Sequence, residues 1–489
     1  LFVGGIVGFN ESETVALDGK ESINEANVIG DSYVGGISGC NSGSSAGSDD
    51  IRVPDLERDV DKKISNWINK GIVAASGNYV GGITGVNAGI IENCSSEVTS
   101  DDTARKITDA QSLHGNYAGG IAGYNNGIIR AAESGRDYFR KTISLVSYIA
   151  GNNFVGGIVG YNDVEASVED YILAGGYIKG TGTFVGGYTG VNASKALLEN
   201  QVLQSNPNEV TGRYCVSGVI GGNIVASSGD IQAEFNSDNF LGNVDAVAFT
   251  GGYIGYNRLL QSDMDENSDR NKTEALINSI TETFDGNEYD LEDIVQTVWD
   301  ISGEETESRL TIEGFGDSSN QLIKFGSLNA DIYVGGVVGY NDPDTRLTIT
   351  NVVNKTPVTA RKEIANSQER PDSGDFGSDE FLFSYAGGII GKVDKYVVVD
   401  NCSNQDVGDV TAQGTYLGGI CEVNEGLVRN CSVSSIGSSD RSYVGGIAGL
   451  NKGMVEDCSF TGKTITGKNY VGGMVSENYG TIKAPYLFQ

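Results

Sequence analysis

One nine-residue phrase, aromatic-x-Gly-Gly-apolar-x-Gly-x-Asn, recurs thirteen times along this 489-residue chain. It reads YVGGITGVN at Tyr79 to Asn87, YAGGIAGYN at Tyr117 to Asn125 and YVGGIAGLN at Tyr443 to Asn451. The first glycine of each pair falls at Gly4, Gly35, Gly81, Gly119, Gly156, Gly186, Gly251, Gly335, Gly387, Gly418, Gly445 and Gly472, with a degenerate copy centred on Ser217 and Gly218. A unit this short cannot bury a core alone, so the copies must stack, and the chain reads as a solenoid.

Apolar and small residues alternate within the phrase with a period near two, which suits short strands with one buried face. The expected fold is all-β: a parallel β-solenoid, or β-helix, of repeated coils with small helical and loop insertions. The shortest spacing between glycine pairs, 27 residues, accommodates a three-sided coil. The paired glycines let the backbone pass close to the next coil, and the third glycine, kept in eleven of thirteen copies, permits a bend or a positive φ; Glu422 and Ser476 replace it in the other two. An aromatic stands two residues before the pair in all copies but one, where Cys215 replaces it. In register, these rings form a ladder at the ~4.8 Å strand spacing.

The Asn closing the phrase recurs at Asn10, Asn41, Asn87, Asn125, Asn162, Asn192, Asn223, Asn257, Asn341, Asn424, Asn451 and Asn478, and Val393 alone breaks the series. An amide donates to one neighbouring coil, accepts from the other and still satisfies its own turn, so these residues are expected to form a structural ladder.

The fuller copies continue into a second strand carrying a cysteine, as in YVGGITGVNAGIIENCSS from Tyr79 and YLGGICEVNEGLVRNCSV from Tyr416. This extended phrase resembles the GLUG repeat of bacterial cell-surface proteins, including some large streptococcal immunoglobulin A peptidases. The resemblance implies a secreted or surface-displayed repeat region, a spacer or adhesive segment beside some other activity. It carries no catalytic residues, because the shared positions are Gly, Asn, aromatic and apolar.

Composition narrows the chemistry. Gly is 70 residues and Pro only 6, so glycine serves recurring turns and close contacts rather than disorder. A formal net charge of -32 argues against a nucleic-acid partner, which needs a basic footprint. That acidity suits a hydrated surface, cation binding or life outside the cell. No stretch approaches the ~20 apolar residues of a membrane span. Leu1 falls inside a repeat, and both ends read as cuts within a longer polypeptide.

Four of the seven cysteines, Cys94, Cys402, Cys431 and Cys458, share one place in the repeat and are expected to be buried thiols rather than a disulfide framework. With no C-x-x-C pair, zinc is poorly supported. The single histidine, His114, would need a Ser or Cys partner that the local sequence does not identify, and it reads as an exposed turn residue.

Where the spacing widens, insertions are expected. The domain organisation reads as solenoid over 1–257 with a helical insertion near 51–70, an acidic, partly helical insertion over 258–331, and solenoid over 332–489 with a loop insertion near 359–384. In the first insertion Leu56, Val60, Ile64, Trp67 and Ile68 share one helical face behind Pro54. The second holds 18 acidic and 5 basic residues, with helical patterns over Thr273 to Phe284 and Leu291 to Ile301. Within it Asp263, Asp265, Asn267, Asp269, Asn271 and Glu274 place oxygen ligands at EF-hand-like spacing, although Ser268 stands for the turn glycine and Arg270 for the usual apolar residue. The run is read either as a calcium loop, calcium being the one cofactor the sequence offers, or as a solvated acidic loop.

The leading functional expectation is a non-enzymatic extracellular repeat protein, a stalk, adhesin segment or fibre subunit of a bacterial surface assembly, partnered by itself, by other surface proteins or by glycans. The alternative is a carbohydrate-active β-helix, in which two positioned carboxylates act without histidine, or a glycan-binding module using acidic residues on the solenoid face.

Overall fold

The computed structural model describes residues 2–15, 22–42, 58–97, 107–109, 116–131, 142–146, 148–169, 171–173, 176–198, 201–203, 208–237, 242–284, 306–314, 322–323, 325–361, 385–405, 410–412, 416–437 and 443–483. His114, Leu56, the pattern over Leu291 to Ile301 and most of the 359–384 insertion lie outside them. Contacts divide the chain into two units. The first comprises Leu1–Gly212, Val219–Ala226 and Asp265–Arg270, and the second Arg213–Gly218, Ser227–Met264 and Asn271–Gln489.

Both units are stacks of parallel strands in register, the β-solenoid expected from the repeats. In the first unit Val3–Gly4, Val34–Gly35, Val80–Gly81, Ala118–Gly119, Val155–Gly156 and Thr183–Gly186 lie side by side, with each first glycine opposite the next. In the second unit a row of the same kind runs through Tyr214–Ser217, Ala248–Gly251, Ile332–Gly335, Ala386–Gly387, Tyr416–Gly418, Tyr443–Gly445 and Tyr470–Gly472. Ser217 pairs with Gly251, so the degenerate copy holds its place. A full coil carries five short strands, as in Val73–Ala75, Val80–Gly81, Thr84–Asn87, Ile90–Glu92 and Ser95–Ser96. Inward positions such as Val80, Ile83, Val86 and Ile91 are buried, each such side chain contributing about 1.5–3 kcal/mol of transfer free energy.

Glycine serves two different needs within the phrase. A Cβ on Gly82 would fall against the carbonyl of Gly120 in the next coil, and one on Gly85 against the backbone of Tyr79, Val34 and Gly39. The third glycine is therefore a close-approach residue. The positive φ expected there belongs instead to the aromatic: Tyr33, Tyr79, Tyr117, Phe154, Phe184, Phe249, Tyr333 and Tyr385, with Cys215, have φ between 40° and 68°. That conformation is unfavourable for a bulky residue. Ring stacking opposes the cost: centroids lie 4.9 Å apart for Tyr33 and Tyr79, 4.6 Å for Tyr79 and Tyr117, and 4.4 Å for Tyr333 and Tyr385. A second rank sits one position before the Asn, with Tyr124 and Tyr161 stacked at 5.0 Å and Tyr256 and Tyr340 at 5.7 Å.

The departures from the phrase have local compensations in the second unit. Beside Cys215, Tyr214 stacks on Phe284 at 4.3 Å, and Phe284 also approaches Phe249 at 6.2 Å. A Cβ on Gly218 would run into the ring of Phe325. Residues outside the phrase thus supply the apolar volume that the degenerate copy lacks. Glu422, in place of the third glycine, is fully buried and its carboxylate accepts the N–H of Ala386 at 2.9 Å. In the preceding coils that N–H goes to an aromatic carbonyl, as from Val334 to Tyr385. From Tyr416 onward the aromatic leaves the left-handed region and joins the strand, Tyr416 pairing with Tyr443 and Tyr443 with Tyr470.

Two expectations are corrected. The helix near 51–70 is absent over its described part: Lys63–Ser65 and Trp67–Asn69 are coil strands, parted by Asn66 at φ 61°. Val60 lies before the first strand, while Ile64, Trp67 and Ile68 fell at helical spacing because two three-residue strands and a one-residue corner mimic it. The same corner recurs at Asn93, Asn351, Asn401 and Asn430. In the acidic segment the strand starting at Ile254 runs on to Gln261, one helix among the described residues spans Glu266–Phe284, and coil strands resume at Arg309–Glu313 and Ser327–Ala330. No helix among the described residues is long and apolar enough to cross a membrane.

Candidate functional site

The Asn closing the phrase forms hydrogen-bonded columns within each unit, interrupted in the second by Val393. In the first unit each side-chain amide donates to the carbonyl oxygen of the next: Asn10 to Asn41, Asn41 to Asn87 and Asn87 to Asn125, each at 2.8 Å. It continues from Asn125 to Asn162 at 2.9 Å, Asn162 to Asn192 at 3.3 Å and Asn192 to Asn223 at 2.9 Å. In the second unit Asn257 donates to Asn341 at 2.8 Å, Asn424 to Asn451 and Asn451 to Asn478 at 2.7 Å. The second amide hydrogen serves the local turn, as from Asn87 to the carbonyl of Gly89 at 3.1 Å. Further Asn pairs escaped the sequence reading because they lie outside the repeated phrase: Asn24 to Asn69 and Asn354 to Asn404, both at 3.0 Å, and, at the left-handed corners, Asn93 to Asn66 at 3.3 Å and Asn401 to Asn351 at 2.7 Å.

The acidic run from Asp263 does not fold as a loop around a point. Helix begins at Glu266, so Asn267, Asn271 and Glu274 lie along one helical face and Asp269 on the opposite one. Asp265 caps the helix, its carboxylate accepting the N–H of Ser268 at 2.8 Å, and Asp263 pairs with Lys272 at 2.5 Å. Asn271 is exposed, Asp269 buried and Glu274 between the two. The physical reason is local: an Asp three residues ahead of a free amide is a strong N-cap, and the buried Ile277, Ile280 and Phe284 give the helix an apolar face. Among the described residues no group of three or more His, Cys, Asp or Glu side chains converges as a metal site.

The segment also carries side-chain cations of its own. Arg270, the residue out of pattern for a calcium loop, donates from Nε to Asp163 at 2.7 Å, from Nη2 to Glu266 at 2.7 Å and to Asn126 at 3.2 Å, and from Nη1 to Asn267 at 3.3 Å. Asp163 is 0% and Arg270 7% exposed. Burial holds the Asp163 carboxyl above its ordinary range, and the guanidinium opposes that rise. Asp163 also turns its own chain, accepting the N–H of Val164 at 2.7 Å.

An equivalent arrangement occurs in the second unit. Asp342, like Asp163, directly follows a Tyr-Asn pair, and it binds the guanidinium of Arg258 and the hydroxyl of Tyr256, the latter at 3.1 Å. Arg258 and Asp342 are 1% and 2% exposed. Burial again raises the carboxyl, with Arg258 opposing. The same column continues as Lys392 to Asp394 at 3.0 Å, Lys392 to Glu425 at 3.6 Å and Lys452 to Glu425 at 2.8 Å. Sequence reasoning missed these pairs; the Tyr-Asn-Asp triplet, present at Tyr161 and Tyr340, was the available signal.

All seven cysteines are free and buried. Those following the left-handed corner approach two carbonyls each: Cys431 lies 3.1 Å from Arg429 O and 3.6 Å from Val399 O, and Cys458 lies 3.3 Å from Glu456 O and 3.6 Å from Val428 O.

The GLUG motif family matches residues 440–466 of the chain. Neither a comparison with curated proteins nor one with solved structures finds a match.

Proposed function

We propose that this GLUG-motif chain is a non-enzymatic structural segment of an extracellular bacterial assembly, serving as a stalk, adhesin segment or fibre subunit that contacts other surface proteins or glycans. The observation that carries the reading is the Asn column: the residues repeated in every coil hand their hydrogen bonds to the next coil. Buried ionisable groups are likewise engaged with one another, Arg270 with Asp163 and Arg258 with Asp342. The GLUG match over residues 440–466 and the net charge of -32 support display outside the cell.

Immunogold electron microscopy of producing cells, with antibody raised against the full chain, tests this. Label on surface projections or fibres is the expected result. Label confined to the cytoplasm, or new reducing ends when the purified chain is incubated with a polysaccharide panel, would overturn it.

A further inference from the structure

Three cysteines occupy one column in successive coils of the second unit. The strands Ser403–Asn404, Ser432–Val433 and Ser459–Phe460 pair in register, Ser403 opposite Ser432 and Ser432 opposite Ser459, so Cys402, Cys431 and Cys458 lie one above another just before them. Cys431 therefore stands between Cys402 and Cys458 in the column. Strands in register stand about 4.8 Å apart, inside the ~4.4–6.8 Å range of Cα separations that disulfides span. Closing such a bond asks for side-chain rotation and a small approach of the Cβ atoms, with no change of register.

Cys94 supplies an internal comparison. It sits at the same place in its coil, after the left-handed Asn93, yet the matching position of the adjacent coil, after Asn66, is Trp67. The thiol column therefore exists where three coils in succession carry the cysteine.

We propose that Cys402, Cys431 and Cys458 form an intramolecular disulfide site, with Cys431 the shared partner of two mutually exclusive bonds that staple adjacent coils. The co-reactant is a low-molecular-weight disulfide. Cys458, 3% exposed against 1% for Cys402 and Cys431, is the first to react: its thiolate attacks the small disulfide, forms a mixed disulfide and expels one small thiol. The Cys431 thiolate then attacks the Cys458 sulfur, expels the second small thiol and leaves a Cys431–Cys458 bond. Two chain thiols have become one disulfide and one small disulfide two thiols, each proton lost from the chain ending on a released thiol. Cys402 can exchange into the bond by attacking Cys431, freeing Cys458. All three sulfurs are buried, so the reaction proceeds through local opening of the coil edge.

The full chain is incubated with glutathione disulfide under native conditions, quenched in acid, digested without reduction and mapped by mass spectrometry. A Cys431–Cys458 linkage, with a minor Cys402–Cys431 species and Cys94 still a free thiol, is expected. Cys431→Ser removes both linkages, whereas Cys402→Ser keeps the first; circular dichroism checks that each variant is folded, and Cys431→Ala replaces Cys431→Ser if that one is not. The oxidised chain also unfolds at a higher temperature than the reduced one, a difference that dithiothreitol abolishes. Failure to form an intrachain bond, persistence of the glutathione adduct alone, or a linkage through Cys94 would overturn the proposal.

Discussion

Arg270 Nε and Asp163 Oδ2 meet at 2.7 Å although 107 residues separate them in the chain. Removing one member of a buried pair strands the other. Arg270→Ala should destabilise the first unit by roughly 3–5 kcal/mol, seen as a lower urea midpoint and faster amide exchange at Val164, whose N–H rests on the Asp163 carboxylate. Combining Arg270→Met with Asp163→Asn should recover much of the loss. A single variant no weaker than the double would show that the pair does not act as a unit.

Position along the Asn column should set the cost of losing a rung. Asn125 accepts from Asn87 and donates to Asn162 in full burial, so Asn125→Ala should cost about 2–4 kcal/mol. Asn478 is exposed and receives one bond from Asn451, and its loss should cost about 1 kcal/mol. Equal effects in chemical denaturation would contradict a cooperative column.

At Tyr79 the usual order of glycine and alanine should invert. Its φ of 64° favours glycine by about 1–2 kcal/mol over any residue with a Cβ. Both variants lose the stacked ring, yet Tyr79→Gly should unfold at a higher denaturant concentration than Tyr79→Ala. Alanine the more stable of the two would mean that the backbone relaxes once the ring is gone.

Acid should act on the second unit with two opposite signs. Burial pushes the Glu425 carboxyl up, but Lys392 and then Lys452 outweigh it and hold the group below its ordinary 4.5. Its contribution is thus present above the unfolded value and lost as pH falls through the folded one. Asp342 is raised, so the stability it contributes is full below its unfolded value and declines as pH rises through the folded one. Glu425→Gln should flatten the acid limb of stability against pH and leave the decline above it. A limb unchanged by Glu425→Gln would assign the acid sensitivity elsewhere.

Within each unit the phrase was enough to place the glycine row, including Ser217, because like positions of the phrase pair whatever the length of chain between them. It also located the Asn and aromatic columns, whose chemistry repeats with it. What it concealed lay where different structures share one period. Ile64, Trp67 and Ile68 fit a helix as well as two strands about a corner, and only the match of Asn66-Trp67 to Asn93-Cys94 tells them apart. The acidic run was read by its oxygen spacing, while its one arginine and the Asp265 cap decided its structure. The left-handed aromatics left no trace at all, since a sequence favours glycine at positive φ and here glycine was needed beside them for clearance.

The Asn column also has a direction. Every amide in it points its hydrogens toward the C-terminal coil and its oxygen toward the N-terminal one, so the side chains of Asn424, Asn451 and Asn478 add as aligned dipoles. Aspartate can receive from such a column but has no hydrogen to pass on. Placed at Asn478 it would be a tolerated full stop; placed at Asn424 or Asn451 it would cut the sentence in the middle. The column thus has a grammar that reads one way, in which the same substitution terminates it or interrupts it according to which side its neighbours stand.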